Sequence, residues 1–314
     1  MIQENELALL SAARHRGELF GRDRGMIRLN QNTQAVAGEA RTAGSETRRI
    51  ARALDRAADA QGAAVVALRA EPNDGQGANA AEERSLELLR EAEELAAALA
   101  ATVREQETLR QRGELLTAYR AFAEQQIAVR SQTLKLVSDE PLDRRRLVGA
   151  RGLARSQEEI RQGMDELKAS RTEVAESLVF RRVHELIDGW SRLVTDALGR
   201  GDVARRTTDR QQRIADSIGR LIEALVVVIE APEEFAGQRG SGAGSGGGIP
   251  QLVPPIAELK LIRGMQEQVY NLTRAIDGRT DLDPAARTDQ LRDLGQTQRT
   301  LRDLGLQLIE RLKQ

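Results

Sequence analysis

The 314-residue chain contains no cysteine, which excludes disulfides and thiol chemistry and leaves the redox compartment open. It has few large rings: one Trp, two Tyr and four Phe. Aromatic side chains usually anchor globular cores, so interior positions here must be filled by Ala and aliphatic residues. Lysine is also scarce, with Lys135, Lys168, Lys260 and Lys313 set against 43 arginines. The arginines are spread along the chain, which reads as a biased composition rather than dedicated phosphate recognition. No apolar run approaches the length of a membrane span; the longest is Ala224–Ile229. Met1–Phe20 carries Glu4 and Glu6 where a secretory signal needs positive charge, and no apolar segment follows. The expectation is a cytoplasmic chain, or an exported one whose signal has been removed.

What is present is a spacing. From Met26 to Leu68, small or apolar residues alternate at steps of three and four: Met26, Leu29, Thr33, Val36, Ala40, Ala43, Thr47, Ile50, Leu54, Ala57, Gln61, Ala64 and Leu68. That seam predicts one long helix lying against another. Net charge is −1 from 47 basic and 48 acidic residues. Both signs interleave, as in Arg84, Glu87, Arg90 and Glu91. Such a pattern describes solvated faces with local ion pairs and argues against a nucleic-acid partner.

Pro and Gly punctuate the chain. A short helix is expected within residues 1–20, ended by Gly21–Gly25. The first long helix should stop before Glu71–Gly77, and the second should run from Asn79 to Val137 and end at Ser138–Pro141. The second helix's stripe reads Leu88, Ala92, Leu95, Leu99, Thr102, Gln106, Leu109, Gly113 and Leu116, then Ala123, Ile127 and Leu134. A third helix is predicted from Leu142 to Leu198, with a register slip near Arg181 read as a four-residue coiled-coil insertion. Gly199–Asp202 makes a turn with Asp202 as an N-cap, and a fourth helix spans Val203–Glu230. Gly237–Gly248 is mostly glycine and serves as a tether. Two further helices follow, from Pro254 or Pro255 to Asp277 and from Pro284 to the end.

The fold class expected is therefore all-α: elongated antiparallel helical hairpins or a coiled-coil bundle, with a tethered C-terminal helical pair. Its regions are 1–25, a short helix and turn; 26–236, the long helical region; 237–254, the linker; and 255–314, a C-terminal hairpin. A four-position repeat also shows, in Gln106/Leu109/Gly113/Leu116, Gln157/Ile160/Met164/Leu167, Gln211/Ile214/Ile218/Leu221 and Gln298/Leu301/Gly305/Leu308. A buried glutamine in such a repeat would set helix register.

Chemical motifs are weak. His184-Glu185-Leu186-Ile187-Asp188 resembles a zinc-protease motif whose second histidine is replaced by Asp188. The only other histidine is the distant His15, so a polar pair on a solvated face is the expectation. Gly242–Gly247 satisfies GxGxxG but lacks the strand before it and the helix directly after it, so it reads as linker. No catalytic residue, cofactor or metal ligand is assigned, and the chain is read as a non-enzyme without a small-molecule substrate. Asn271-Leu272-Thr273 matches a glycosylation acceptor inside a helix and is taken as incidental.

Interaction candidates are Trp190, the apolar run Leu225, Val226 and Val227, and the segment past the tether with Leu252, Val253, Ile256, Leu259 and Ile262. A run apolar all round must be buried or bind a partner. An apolar segment on a tether reaches a partner or folds back. The expected function is a structural scaffold or spacer acting through helix–helix contacts with a protein partner or itself. The alternative is a regulator on a membrane surface or nucleic acid using arginine-rich faces, with peripheral membrane association left open.

Gln211, Ile214, Leu221-Ile222-Glu223-Ala224-Leu225, the Gly237–Gly248 tract and Pro255-Ile256-Ala257-Glu258-Leu259-Lys260-Leu261-Ile262-Arg263-Gly264-Met265-Gln266 together carry a resemblance. Over its C-terminal third the chain resembles a loosely defined group of uncharacterised bacterial helical proteins, usually exported or membrane-anchored. In that group a helix ending L-I-E-x-L is followed by a glycine tract and a P-x-x-E-L-K-x-x-R-x-x-Q helix. The resemblance implies a cell-envelope location and no defined activity.

Overall fold

A computed structural model describes residues 22–137, 143–230, 251–278 and 284–313. Among these residues all regular structure is helical, so the chain is all-α and its helices pack as a bundle. In chain order the helices are α1 (Arg22–Thr42), α2 (Arg48–Arg69), α3 (Gly75–Leu136), α4 (Arg144–Ser170), α5 (Thr172–Glu176), α6 (Leu178–Gly199), α7 (Arg205–Glu230), α8 (Pro255–Asp277) and α9 (Pro284–Lys313). Two compact units divide at Gln106/Glu107, inside α3.

In the first unit, the seam from Met26 to Leu68 does not form one helix. It folds back at Ala43–Thr47, where Gly44 has φ +143°, a conformation costly for any residue with a Cβ. Thr47 Oγ1 donates to the carbonyls of Ala40 (2.5 Å) and Gly44 (3.1 Å), which holds the turn closed. The antiparallel register of α1 and α2 is recorded by Arg69–Asp23 (2.8 Å) and Arg41–Asp55 (2.7 Å). The heptad spacing survives the reversal because each half buries the same kind of stripe. Met26, Thr33 and Ala37 face inward from α1, and Leu54, Ala57, Gln61, Ala64 and Leu68 from α2. Val36, expected on the seam, is 50% exposed because Ala37 takes its place. Alanines make up much of this buried stripe, which accounts for part of the alanine content.

The second unit has a core in which α3, α4, α6, α7, α8 and α9 all take part. The predicted third helix is interrupted at Arg171 and Ser177, both with extended backbone. Ser177 caps α6 by accepting from the Phe180 N–H (3.3 Å). What the sequence suggested was a coiled-coil insertion near Arg181 is thus a chain reversal. α6 returns antiparallel along α4, with Arg161 opposite Asp188 at 2.9 Å. Asp143 caps α4 through the Arg146 N–H (2.7 Å), and Pro255 opens α8. After α6, Gly201 adopts φ +80°, and Asp202 accepts from the Ala204 N–H at 3.0 Å.

The stripe expected on α3 is also revised in its later part. Ile127 and Leu134 are 59% and 43% exposed, while the buried face runs Leu115, Tyr119, Gln126, Val129 and Thr133. Two of those five are polar, so hydropathy alone selected the wrong side. Nearer the middle of α3, Thr102 and Gln106 are exposed and Leu109 is 42% exposed, so the expected stripe is not buried there.

Candidate functional site

Three polar arrangements are built into the core of the second unit. The first is a glutamine layer. Gln126 on α3 and Gln157 on α4 exchange amide hydrogen bonds: Gln157 Nε2 donates to Gln126 Oε1 (2.8 Å) and Gln126 Nε2 to Gln157 Oε1 (3.2 Å). Gln126 Nε2 also reaches the Gln211 carbonyl on α7 (3.4 Å), and Gln211 Nε2 donates to Thr133 Oγ1 (3.0 Å). All three glutamines are fully buried. Burying an amide unpaired costs on the order of 1–3 kcal/mol, so this reciprocal pairing discriminates against any register that separates them. Of the four glutamines in the apparent repeat, Gln157 and Gln211 occupy this layer, whereas Gln106 and Gln298 are exposed. Gln126, outside the repeat, is the hub.

The second arrangement involves His184. It does not lie on a solvated face beside Asp188, as the i,i+4 spacing suggested. His184 is 4% exposed, and its Nε2 meets the Tyr119 hydroxyl at 2.9 Å. Asp188 turns outward to Arg161 (2.9 Å) and Arg192 (3.0 Å). Burial holds the His184 imidazole down at about 4, and Lys168 adds to the effect; the Asp165 carboxylate and a hydrogen bond to the Met164 backbone oppose it. Burial likewise pushes the Tyr119 phenol well above its ordinary range. The cavity beside the ring is about 10 Å³, room for roughly one water. It is lined by Arg161, Met164, Asp165, His184, Ile187 and Asp188. Among the described residues no group of three or more His, Asp or Glu could hold a metal ion. His15 lies outside the described residues.

The third arrangement clasps the segment beyond the glycine tract. Arg112 on α3, 9% exposed, donates through Nε to the Leu252 carbonyl (3.1 Å) and through Nη2 to that of Gln251. Glu258 on α8 is fully buried. It accepts from Ser177 Oγ (2.6 Å), the residue that caps α6, and pairs with Arg311 on α9. Glu258 stands in the P-x-x-E-L-K match, but nothing in the local pattern marks it as buried or names Ser177 and Arg311 as its partners.

The interaction candidates fall mostly inside. Leu225 is fully buried, and Leu252 and Val253 are buried in the same cluster. Trp190, Val226 and Ile262 are half-buried against that cluster, and Ile256 is half-buried. Leu259 remains 44% exposed, and the side chain of Val227 lies outside the described residues. The two apolar segments flanking the tract, Leu221–Val226 and Leu252–Leu261, thus contribute to one shared core. A different set of apolar side chains is left in solvent on the last turns of α9: Leu306 (55%), Ile309 (48%) and Leu312 (52%). Their neighbours Leu301, Leu304 and Leu308 point into the molecule.

No protein family, curated protein or solved structure matches this chain. No helix among the described residues is long and apolar enough to cross a membrane.

Proposed function

We propose that the protein is a non-catalytic scaffold or spacer that works through helix–helix contacts with another protein or with itself. The observation that supports this is the second apolar side of α9. Leu306, Ile309 and Leu312 recur at three-residue steps over the last turns, which sets them within about a third of the helix circumference at 100° per residue. All three are large, and all are about half exposed. A helix with one apolar side already packed has no folding reason to carry a second. Fully burying an exposed aliphatic side chain is worth about 1.5–3 kcal/mol, and these three, already half-buried, each offer about half of that to a partner. An envelope location rests on the sequence resemblance and belongs to the same proposal.

The test is sedimentation velocity of the full chain over a concentration series, together with cross-linking in extracts of its host. Self-association or specific cross-links should be lost in the Leu306→Glu/Ile309→Glu/Leu312→Glu variant, which leaves the inward residues intact. A chain that stays monomeric, and whose cross-links never involve the end of α9, would sink the reading.

A further inference from the structure

The arginines are not evenly dispersed along the chain, and the fold adds to one local cluster of them. Residues 144–157 of α4 contain five arginines and no carboxylate. Arg144, Arg145, Arg151 and Arg155 are exposed, and among the described residues no carboxylate pairs with them. Elsewhere arginines are commonly held in ion pairs, such as Arg110 with Glu107 and Glu114 or Arg171 with Glu114.

Two other elements bring further positive charge to the same end of the bundle. Arg146 on α4 donates to the Leu136 carbonyl, which sets the first turns of α4 beside the last turns of α3, where Lys135 is exposed. Arg130 donates to the Thr208 carbonyl (3.4 Å), which sets the first turns of α7 there too, with Arg206 exposed. Among the described residues the carboxylates at this end are few, and Glu159 stands exposed one turn beyond Arg155 on α4. Asp143 and Asp202 are engaged with backbone N–H groups, Asp209 lies 3.9 Å from Arg205, and Asp196 is exposed on α6. The N-termini of α4 and α7 add their positive dipole ends.

Large apolar side chains stand exposed within the same patch: Val148 (62%) between the arginines of α4, and Leu134 (43%) and Val137 (47%) beside Lys135. A duplex-binding surface has no use for exposed aliphatic side chains, and single-stranded nucleic acid would call for aromatic platforms. An anionic bilayer surface uses both features. Guanidinium groups meet the headgroup phosphates while their stems and the aliphatic side chains enter the interfacial layer.

We infer that this end of the second unit is a docking surface for an anionic phospholipid membrane, with Arg144, Arg145, Arg151 and Arg155 as the principal contacts and Val148 as an inserted side chain. This attachment is peripheral and goes beyond the scaffold reading.

The experiment is flotation of the full chain with phosphatidylcholine vesicles, with and without a phosphatidylserine fraction. Binding should require phosphatidylserine and weaken as salt rises. Each Arg→Ala change should lower partitioning about fivefold. The quadruple Arg→Glu variant should not float, while its thermal unfolding stays unchanged. Glutamate is a good helix former, and negative charge suits a helix N-terminus. If that variant is unstable, Arg144→Gln/Arg151→Gln serves in its place. Val148→Asp should lower partitioning as well. The inference fails if phosphatidylserine vesicles do not retain the chain, if retention survives charge removal, or if a short DNA duplex displaces the chain at equal phosphate.

Discussion

Tyr119 on α3 and His184 on α6 share a hydrogen bond of 2.9 Å, and both rings are buried in the second unit. Their ring centroids lie 5.8 Å apart at a tilt of 53°. The pair joins two helices through residues 65 positions apart in sequence. It also sets a limit on acid stability.

Because His184 folds as a neutral base held down at about 4, the unfolded chain binds the extra proton first as pH falls. Stability is therefore fully present above about pH 6.5 and declines between there and about pH 4. The shift corresponds to about 3 kcal/mol at most, since one pKa unit is worth about 1.4 kcal/mol. Urea unfolding at neutral pH and at pH near 5 should show this loss, and His184→Gln should flatten the slope in that window. An unchanged slope in the variant would place the acid sensitivity elsewhere.

The glutamine layer should respond asymmetrically. Gln157→Leu leaves the buried Gln126 Oε1 without its donor and should cost about 1–3 kcal/mol. The double variant Gln126→Leu/Gln157→Leu removes both partners and should recover much of that loss. A double-mutant cycle by chemical denaturation reads the coupling directly. Additive losses would mean that the two amides do not depend on each other.

Removing the Arg112 fork should loosen the C-terminal part without affecting the first unit. Arg112→Met keeps the aliphatic stem but leaves the carbonyls of Gln251 and Leu252 without their charged donor. Hydrogen bonds to a charged group are worth about 1.5–3 kcal/mol. Amide hydrogen exchange should quicken over residues 251–278 and stay the same over residues 22–92. Uniform change across the chain, or none, would contradict the clasp.

Two helical glycines should differ. Gly189 on α6 has nothing within 4 Å of an added Cβ, and Gly189→Ala should raise stability by about 0.5–1 kcal/mol. At Gly163 on α4 the new methyl would sit 2.7 Å from the Phe122 ring. Gly163→Ala must displace that ring, so it should gain less than Gly189→Ala or lose stability. Thermal unfolding of the two variants, compared side by side, decides the order.

The sequence determined the composition of the interior and most of the places where helices begin and end. Apolar stripes at helical spacing, proline at the start of α8 and α9, and Asp202 at a turn act over a few residues, so their effects can be read without knowing the fold. Tertiary structure decided the rest. The Met26–Leu68 seam became a hairpin because a heptad pattern states that a helix needs a partner without naming it, and its own second half satisfies the demand. The inner face of α3 was misread because Gln126 and Thr133 are buried through partners on α4 and α7, and no local pattern announces such a pairing. Glu258 and Arg112 were hidden for the same reason, whereas the arginine cluster of residues 144–155 stands in the sequence and only its company of Lys135 and Arg206 came from folding. Charge and hydrogen bonding depend on distance in space, and only folding set those distances.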